Sequence, residues 1–252
     1  MNEQAIFRYL LVGWLALAAV TYVTLFFVAA PYGRHARKGW GPAVGNKLGW
    51  VLMEAPAALT ILVCFALGQH KNITAWVFLG LWEAHYLHRA FIYPLTLRGT
   101  ARRMPLSVVG MGAFFNGVNG YLNGRYLFDL SGGYPAAWLC DPRFLVGLAV
   151  FVSGFVINRQ ADLTLRRLRT GNESGYRIPY GGLYRWISCP NYFGEIGEWI
   201  GWAIATWSVA GLSFAIWTIA NLAPRAWFHH RWYREHFPDY PAERKALIPG
   251  LW

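Results

Sequence analysis

SCPNYFGEIGEWIGWAIATWSVAGLSFAIWTIANLAPRAW, residues 188–227, decides the fold. Glu195, Glu198 and Arg225 are its only charged residues. A hydrocarbon core about 30 Å thick takes about 20 apolar residues in helix, so the stretch is too long for one crossing and long enough for two short ones. Gly211, between Ser208 and Ser213, is the predicted hinge. Lysine and arginine arbitrate, because loops on the cytoplasmic side are enriched in both. With two crossings here and the N-terminus outside, seventeen basic residues fall in inside segments, against Arg8, Lys71, Arg125 and Arg143 outside. A single merged crossing would export the basic tail with Arg231, Arg234, Arg244 and Lys245 and spoil that asymmetry.

Five further spans are read upstream. Residues 9–33 carry no charge and residues 48–68 carry Glu54 alone. Residues 73–97 carry Glu83 and Arg89, residues 104–124 are uncharged and rich in glycine, and the fifth span runs from near Arg143 to about Leu168. The expected fold is therefore all-α, an integral membrane bundle of seven transmembrane helices with its N-terminus outside and its C-terminus cytoplasmic. Composition agrees: 14 % of residues are charged, against about 25 % in an ordinary soluble domain. Fourteen Trp and fourteen Tyr suit membrane–water interfaces. The net charge of +11 sits in short blocks between apolar runs, which argues against nucleic acid as a partner. No linker or repeat divides the chain, so residues 1–252 are expected to form one domain. Cys64, Cys140 and Cys189 form no CxxC pair, so neither a disulfide framework nor a zinc site is expected.

Ionisable residues inside spans are costly, which makes each a functional candidate. Glu54 lies in apolar surroundings, with Pro56 just after it. The third span carries HYLHR, residues 85–89. His85 and His88 lack a third and fourth ligand, and no metal is expected. Tyr86 is a phenol suited to donating a hydrogen bond to a carbonyl. In the fifth span Asn158, Asp162, Arg166 and Arg169 recur at helical spacing on one face. SGYRIPYGGLYRWISCPNYFGEIGEW, residues 174–199, adds Tyr176, Arg177, Asn191, Glu195 and Glu198, and the tail adds His229, His230, Tyr233 and Arg244. Arginines gathered with hydroxyls and amides suit a polyanionic, ring-bearing cofactor. No GxGxxG follows a strand, which excludes a Rossmann site.

These stretches, with MEAP in the second span, HYLHRAFIYPL in the third and HHRWYREHFPDYPAERKALIP in the tail, resemble the steroid 5α-reductase family. The resemblance covers nearly the whole chain, and residues 158–252 carry most of the cofactor motifs. It implies an NADPH-dependent reductase of the C4–C5 double bond of a 3-oxo-4-ene steroid or similar enone lipid. Glu54 and Tyr86 would hydrogen-bond the C3 carbonyl while hydride reaches C5, and Met53, Glu54 and Tyr86 would contact substrate. Cofactor contacts would come from Asn158, Asp162, Arg166, Arg169, Tyr176, Arg177, Asn191, Glu195, His229, Tyr233 and Arg244, joined by Arg89 and Arg98. Two positions depart from the family pattern: Met53 stands where Gln is common, and Thr100 where Arg is common.

A membrane methyltransferase using S-adenosylmethionine, of the isoprenylcysteine or phospholipid type, shares a CPNYFGE-like segment. Here Ser188 and Cys189 replace its Arg-His, and methylation gives no use for Glu54 and Tyr86. A non-catalytic lipid-binding protein would leave the arginine stripe unexplained. The expected partners are a hydrophobic small-molecule substrate and the bilayer, with the protein a monomer in a bacterial inner membrane or the endoplasmic reticulum membrane.

Overall fold

The computed structural model describes residues 2–28, 39–97, 103–168 and 176–252. Helix α1 spans Glu3–Phe27, α2 Asn46–Leu67 and α3 Ile73–Leu87. A π-helical turn, His88–Ile92, joins α3 to the short α4, Tyr93–Thr96. Helix α5 spans Leu106–Arg125, α6 Pro142–Arg167, α7 Pro190–Thr206 and α8 Val209–His236. Helices α1, α2 and α6 are long and apolar enough to cross a membrane by length and composition.

The π turn has a local cause. Pro94 has no N–H to give the carbonyl four residues back, and its ring crowds that carbonyl, so the preceding turn widens. The Tyr93 N–H bonds to the His88 carbonyl five residues back. Arg89 lies in this turn, immediately after Tyr86 and the end of α3.

The expected hinge at Gly211 is displaced. Helix α7 ends at Trp207, whose φ of 43° is left-handed, and Ser208 caps α8. The Ser208 hydroxyl oxygen accepts from the Gly211 N–H at 2.9 Å, which places Gly211 in the first turn of α8. The N-cap chemistry of serine outweighs the freedom of glycine here.

The chain gathers into two compact units. The first comprises residues 1–12 and 31–145, and the second residues 13–30 and 146–252. In the first, a two-stranded antiparallel sheet pairs β1 (Ala43–Gly45) with β2 (Arg103–Pro105), ahead of α2 and α5 respectively. Arg103 Nε donates to the Ala43 carbonyl at 3.2 Å, and the Leu106 N–H to the Pro42 carbonyl at 2.8 Å. Behind this clasp α2 packs on the glycine stripe of α5. A Cβ at Gly120 would stand 3.0 Å from Thr60 Cβ, and one at Gly124 would stand 2.6 Å from Cys64 Cβ. Trp82 closes the α2–α3 contact by donating its indole N–H to the Ala57 carbonyl.

In the second unit α6 and α7 meet through glycines seven residues apart on each helix. Cβ atoms at Gly147 and Gly154 would run into the backbone of Ala205 and Glu198, and those at Gly194 and Gly201 into the backbone of Asn158 and Phe151. Small residues at this spacing let two helices approach to backbone contact, the usual solution inside a bilayer. Trp199, Trp202 and Phe214 fill the adjacent interior, and Trp217 donates to the Trp14 carbonyl of α1. The tail is held by a parallel bridge, Ile187 to Lys245. Cys64, Cys140 and Cys189 are all free thiols.

Candidate functional site

In the first unit the two expected carbonyl-binding residues are buried together with a third that the sequence reading missed. Glu54 of α2 is 8 % exposed, Tyr86 of α3 2 % and Asn116 of α5 4 %. The Tyr86 hydroxyl donates to Asn116 Oδ1 at 3.2 Å. Asn116 Nδ2 donates to Glu54 Oε2 at 3.1 Å and to the Met53 carbonyl at 2.7 Å. Arg89 Nε lies 3.5 Å from Glu54 Oε1, and its guanidinium covers the rings of Trp50 and Tyr93 at 4.8 and 5.3 Å. Arg89, expected among the cofactor contacts, is thus placed against the acid.

Met53, expected at the substrate, packs its side chain against Gly112 and the cluster of Met104, Val108 and Val109. Its backbone carbonyl joins the polar cluster. The sequence signal for Asn116 was weak: it is one of three amides, with Asn119 and Asn123, in an uncharged, glycine-rich span. Glu83 is a different case. Both its carboxylate oxygens are buried without a hydrogen-bond partner among the described residues.

The second unit gathers most of the expected cofactor residues. Asn158 Nδ2 donates to the Asn191 carbonyl at 2.9 Å and to Glu195 Oε2 at 3.3 Å, and Asn191 Nδ2 donates to Asp162 Oδ1 at 3.4 Å. These four residues therefore form one network across α6 and α7, joined through the Asn191 backbone carbonyl. It exists because Gly154 and Gly194 bring the two backbones together beside it. His229 Nε2 shares a hydrogen bond with the Tyr192 hydroxyl at 3.0 Å, and Arg225 lies over the Tyr192 ring. Tyr176 packs edge-on against Trp232, and Tyr233 stacks on Tyr240 at 5.2 Å. Arg177 is exposed. Arg98 and Arg169 lie outside the described residues.

Arg244 is 2 % exposed. Its Nη1 donates to the Pro179 carbonyl at 3.0 Å, and its guanidinium sits against Tyr180 and Tyr240. Next to it, Ser188 Oγ lies 2.7 Å from His230 Nδ1 and 2.6 Å from the Tyr240 hydroxyl, and donates to the Lys245 carbonyl at 3.2 Å. Burial lowers the His230 pKa, helped by the charges of Arg234 and Lys245, and burial raises that of Tyr240 against its bond to Ser188. This Ser–His–Tyr group fastens the tail to the start of α7.

A polyanionic dinucleotide fits the second unit. Arg166 Nε and Arg244 Nε are buried N–H donors with no partner among the described residues. Buried cationic donors left open in this way call for an anion to complete them. No group of three or more His, Cys, Asp or Glu among the described residues could hold a metal ion.

Residues 102–252 match the family described as 3-oxo-5-alpha-steroid 4-dehydrogenase. The chain is 43 % identical to a steroid 5-alpha-reductase of Gossypium hirsutum, over 100 % of this chain and 99 % of that one. It is 42 % identical to 3-oxo-5-alpha-steroid 4-dehydrogenase 1 of Bos taurus, over 94 % of this chain and 93 % of that one. The corresponding Homo sapiens protein is 40 % identical over 87 % of this chain and 85 % of its own length. The methyltransferase alternative finds no support in these matches. With apolar helices, a buried acid–phenol cluster and relatives matched over nearly their full lengths, this multi-pass membrane protein belongs to the steroid 5-alpha-reductase family.

Proposed function

We propose that the protein reduces the C4–C5 double bond of a 3-oxo-4-ene steroid, or of a similar enone lipid, with NADPH as reductant. The observation that carries the reading is the buried cluster of Glu54, Tyr86 and Asn116, a group of hydrogen-bonding side chains enclosed among apolar helices and able to meet a ketone oxygen. Tyr86 donates its phenolic hydrogen bond to the C3 oxygen, and Glu54 shares that oxygen when it carries a proton. As C5 accepts a hydride, the C4–C5 electron pair moves toward the C3 oxygen, and a proton then adds at C4. Hydrogen bonds aimed at the oxygen where charge develops stabilise the transition state more than the ground state. When bound, NADPH supplies that hydride. Arg166 and Arg244 would hold its phosphates, with Arg98, Arg169 and Arg177 as further cations. Asn158, Asp162, Asn191, Glu195, Tyr176, His229 and Tyr233 would fix its rings and amide.

Seven crossings, an external N-terminus and a cytosolic tail complete the proposal. The basic residues favour that orientation, since it collects seventeen of them on the cytosolic side. The test is product analysis after incubating purified protein with NADPH and a panel of unsaturated ketones that includes testosterone and progesterone. A 5α-reduced ketone with matching NADPH consumption is expected. Unaltered steroid with every 4-ene-3-one offered would overturn the reading.

A further inference from the structure

We infer that Asn116 is a positioning residue of the reductive site, coupling the Tyr86 phenol to the Glu54 carboxyl and fixing which way the phenolic proton points. The inference rests on the roles proposed above for Tyr86 and Glu54. It starts from the hydrogen-bond inventory of an amide, which has two N–H donors and one carbonyl acceptor. The Met53 carbonyl can only accept, so the group 2.7 Å from it must be the Asn116 nitrogen. The second N–H of that nitrogen then falls to Glu54 Oε2 at 3.1 Å. The side-chain oxygen is left facing Tyr86, and at 3.2 Å from it the phenol has to be the donor. One backbone carbonyl thus sets the polarity of the whole chain: Tyr86 to Asn116, Asn116 to Glu54.

Two features of the fold hold the amide in this pose. On α5 it follows Gly112 by four residues and precedes Gly120 and Gly124 by four and eight, which puts it on the face that packs against α2. The glycines bring the α2 backbone within reach of a short side chain. Pro56 has no N–H for the Leu52 carbonyl, which loosens the α2 ladder one residue before Met53, and the Met53 carbonyl accepts from the Asn116 amide. An amide at this point aims the phenolic hydrogen along a fixed line without adding charge. When the ketone arrives, the phenolic proton needs only to turn from one oxygen acceptor to another. Glu54, Tyr86 and Arg89 are the ionisable groups hydrogen-bonded or ion-paired in this cluster, and His85 of α3 packs edge-on against the Tyr86 ring at 4.9 Å.

The experiment compares Asn116→Leu, Asn116→Asp, Tyr86→Phe and the Asn116→Leu/Tyr86→Phe double variant with the parent, in detergent, with NADPH and a 4-ene-3-one. Asn116→Leu is expected to lose about 10²-fold in kcat, the scale of a mispositioned proton donor, while the steroid KM changes by less than about threefold. In the Tyr86→Phe background the same substitution should cost less than about twofold, because the group it acts through is gone. Asn116→Asp should regain part of the activity as the pH is lowered, since a protonated Asp restores one of the two donor hydrogens and keeps an acceptor for Tyr86. The readouts separate the two readings. If Tyr86→Phe turns over normally, the carbonyl-binding role falls first. If Tyr86→Phe is dead while Asn116→Leu is active, Asn116 alone is wrong. A loss that is equal in both backgrounds, with no pH dependence in Asn116→Asp, would reduce Asn116 to packing. NADPH-induced thermal stabilisation, retained in every variant, checks that each is folded.

Discussion

A single side chain decides more here than its neighbours in sequence suggest. Glu54 and Tyr86 could be picked out because charge and phenol are costly or conspicuous in apolar runs. Asn116 could not, because an uncharged amide in a glycine-rich span reads as another small residue until three helices converge on it. We expect Tyr86→Phe and Glu54→Gln each to lower turnover by about 10²-fold or more while NADPH still raises the melting temperature, the two being separable by steady-state assay and thermal scan. Glu83 should behave in the opposite sense. Its buried carboxylate oxygens have no hydrogen-bond partner among the described residues, so Glu83→Leu removes an uncompensated polar group. That substitution should stabilise the protein by about 1–3 kcal/mol with turnover unchanged, and a lowered denaturation midpoint would refute it. His230 gives the pH dependence. It lies beyond the apolar stretch ending at Trp227, and its folded pKa is lowered from 6.5 by burial, with Arg234 and Lys245 adding to the shift and Ser188 bonded to its ring. The unfolded chain therefore binds the proton more readily, and stability present above about pH 6.5 is lost as pH falls through that value toward the lowered one. His230→Gln should remove this part of the acid sensitivity, measured as melting temperature against pH.

Among elements, the boundaries most readily read were those set by charge, and those least readily read were set by backbone chemistry. The break between α7 and α8 was expected at a glycine. It falls instead at Trp207 and Ser208, where a left-handed residue stops one helix and a hydroxyl caps the next. Nor did hydropathy show the α6–α7 seam, because glycine counts as nearly neutral on such scales while its value lies in having no Cβ. Gly154→Leu should cost about 2–3 kcal/mol or prevent folding, since the added atoms meet the Glu198 and Gly194 backbones, which cannot yield. Gly197→Ala is the control: its Cβ would meet only Gly154 Cα, at 3.9 Å, and should be tolerated. Equal destabilisation by both would show that the seam is not what the substitution senses.

For the molecule as a whole, composition and long apolar runs conveyed the class, and long motifs conveyed the family. The grouping into two compact units, with the acid–phenol cluster in the first and the arginine-rich network in the second, depends on contacts far apart in sequence and was not legible beforehand. Ligand linkage tests the second unit directly. NADPH at about a hundred times its dissociation constant should stabilise the protein by about 2.7 kcal/mol, and S-adenosylmethionine should not stabilise it at all. The reverse result would move the protein to methyl transfer. The small clasp of Ala43–Gly45 on Arg103–Pro105 bears on chimeras between relatives. Because it fixes the entry of α2 and α5 together, removing one residue on either side would turn the following helix by about 100° and swing Glu54 or Asn116 off its partner. Loop grafts in this part of the chain should therefore be exchanged as a matched pair, both strands from the same parent.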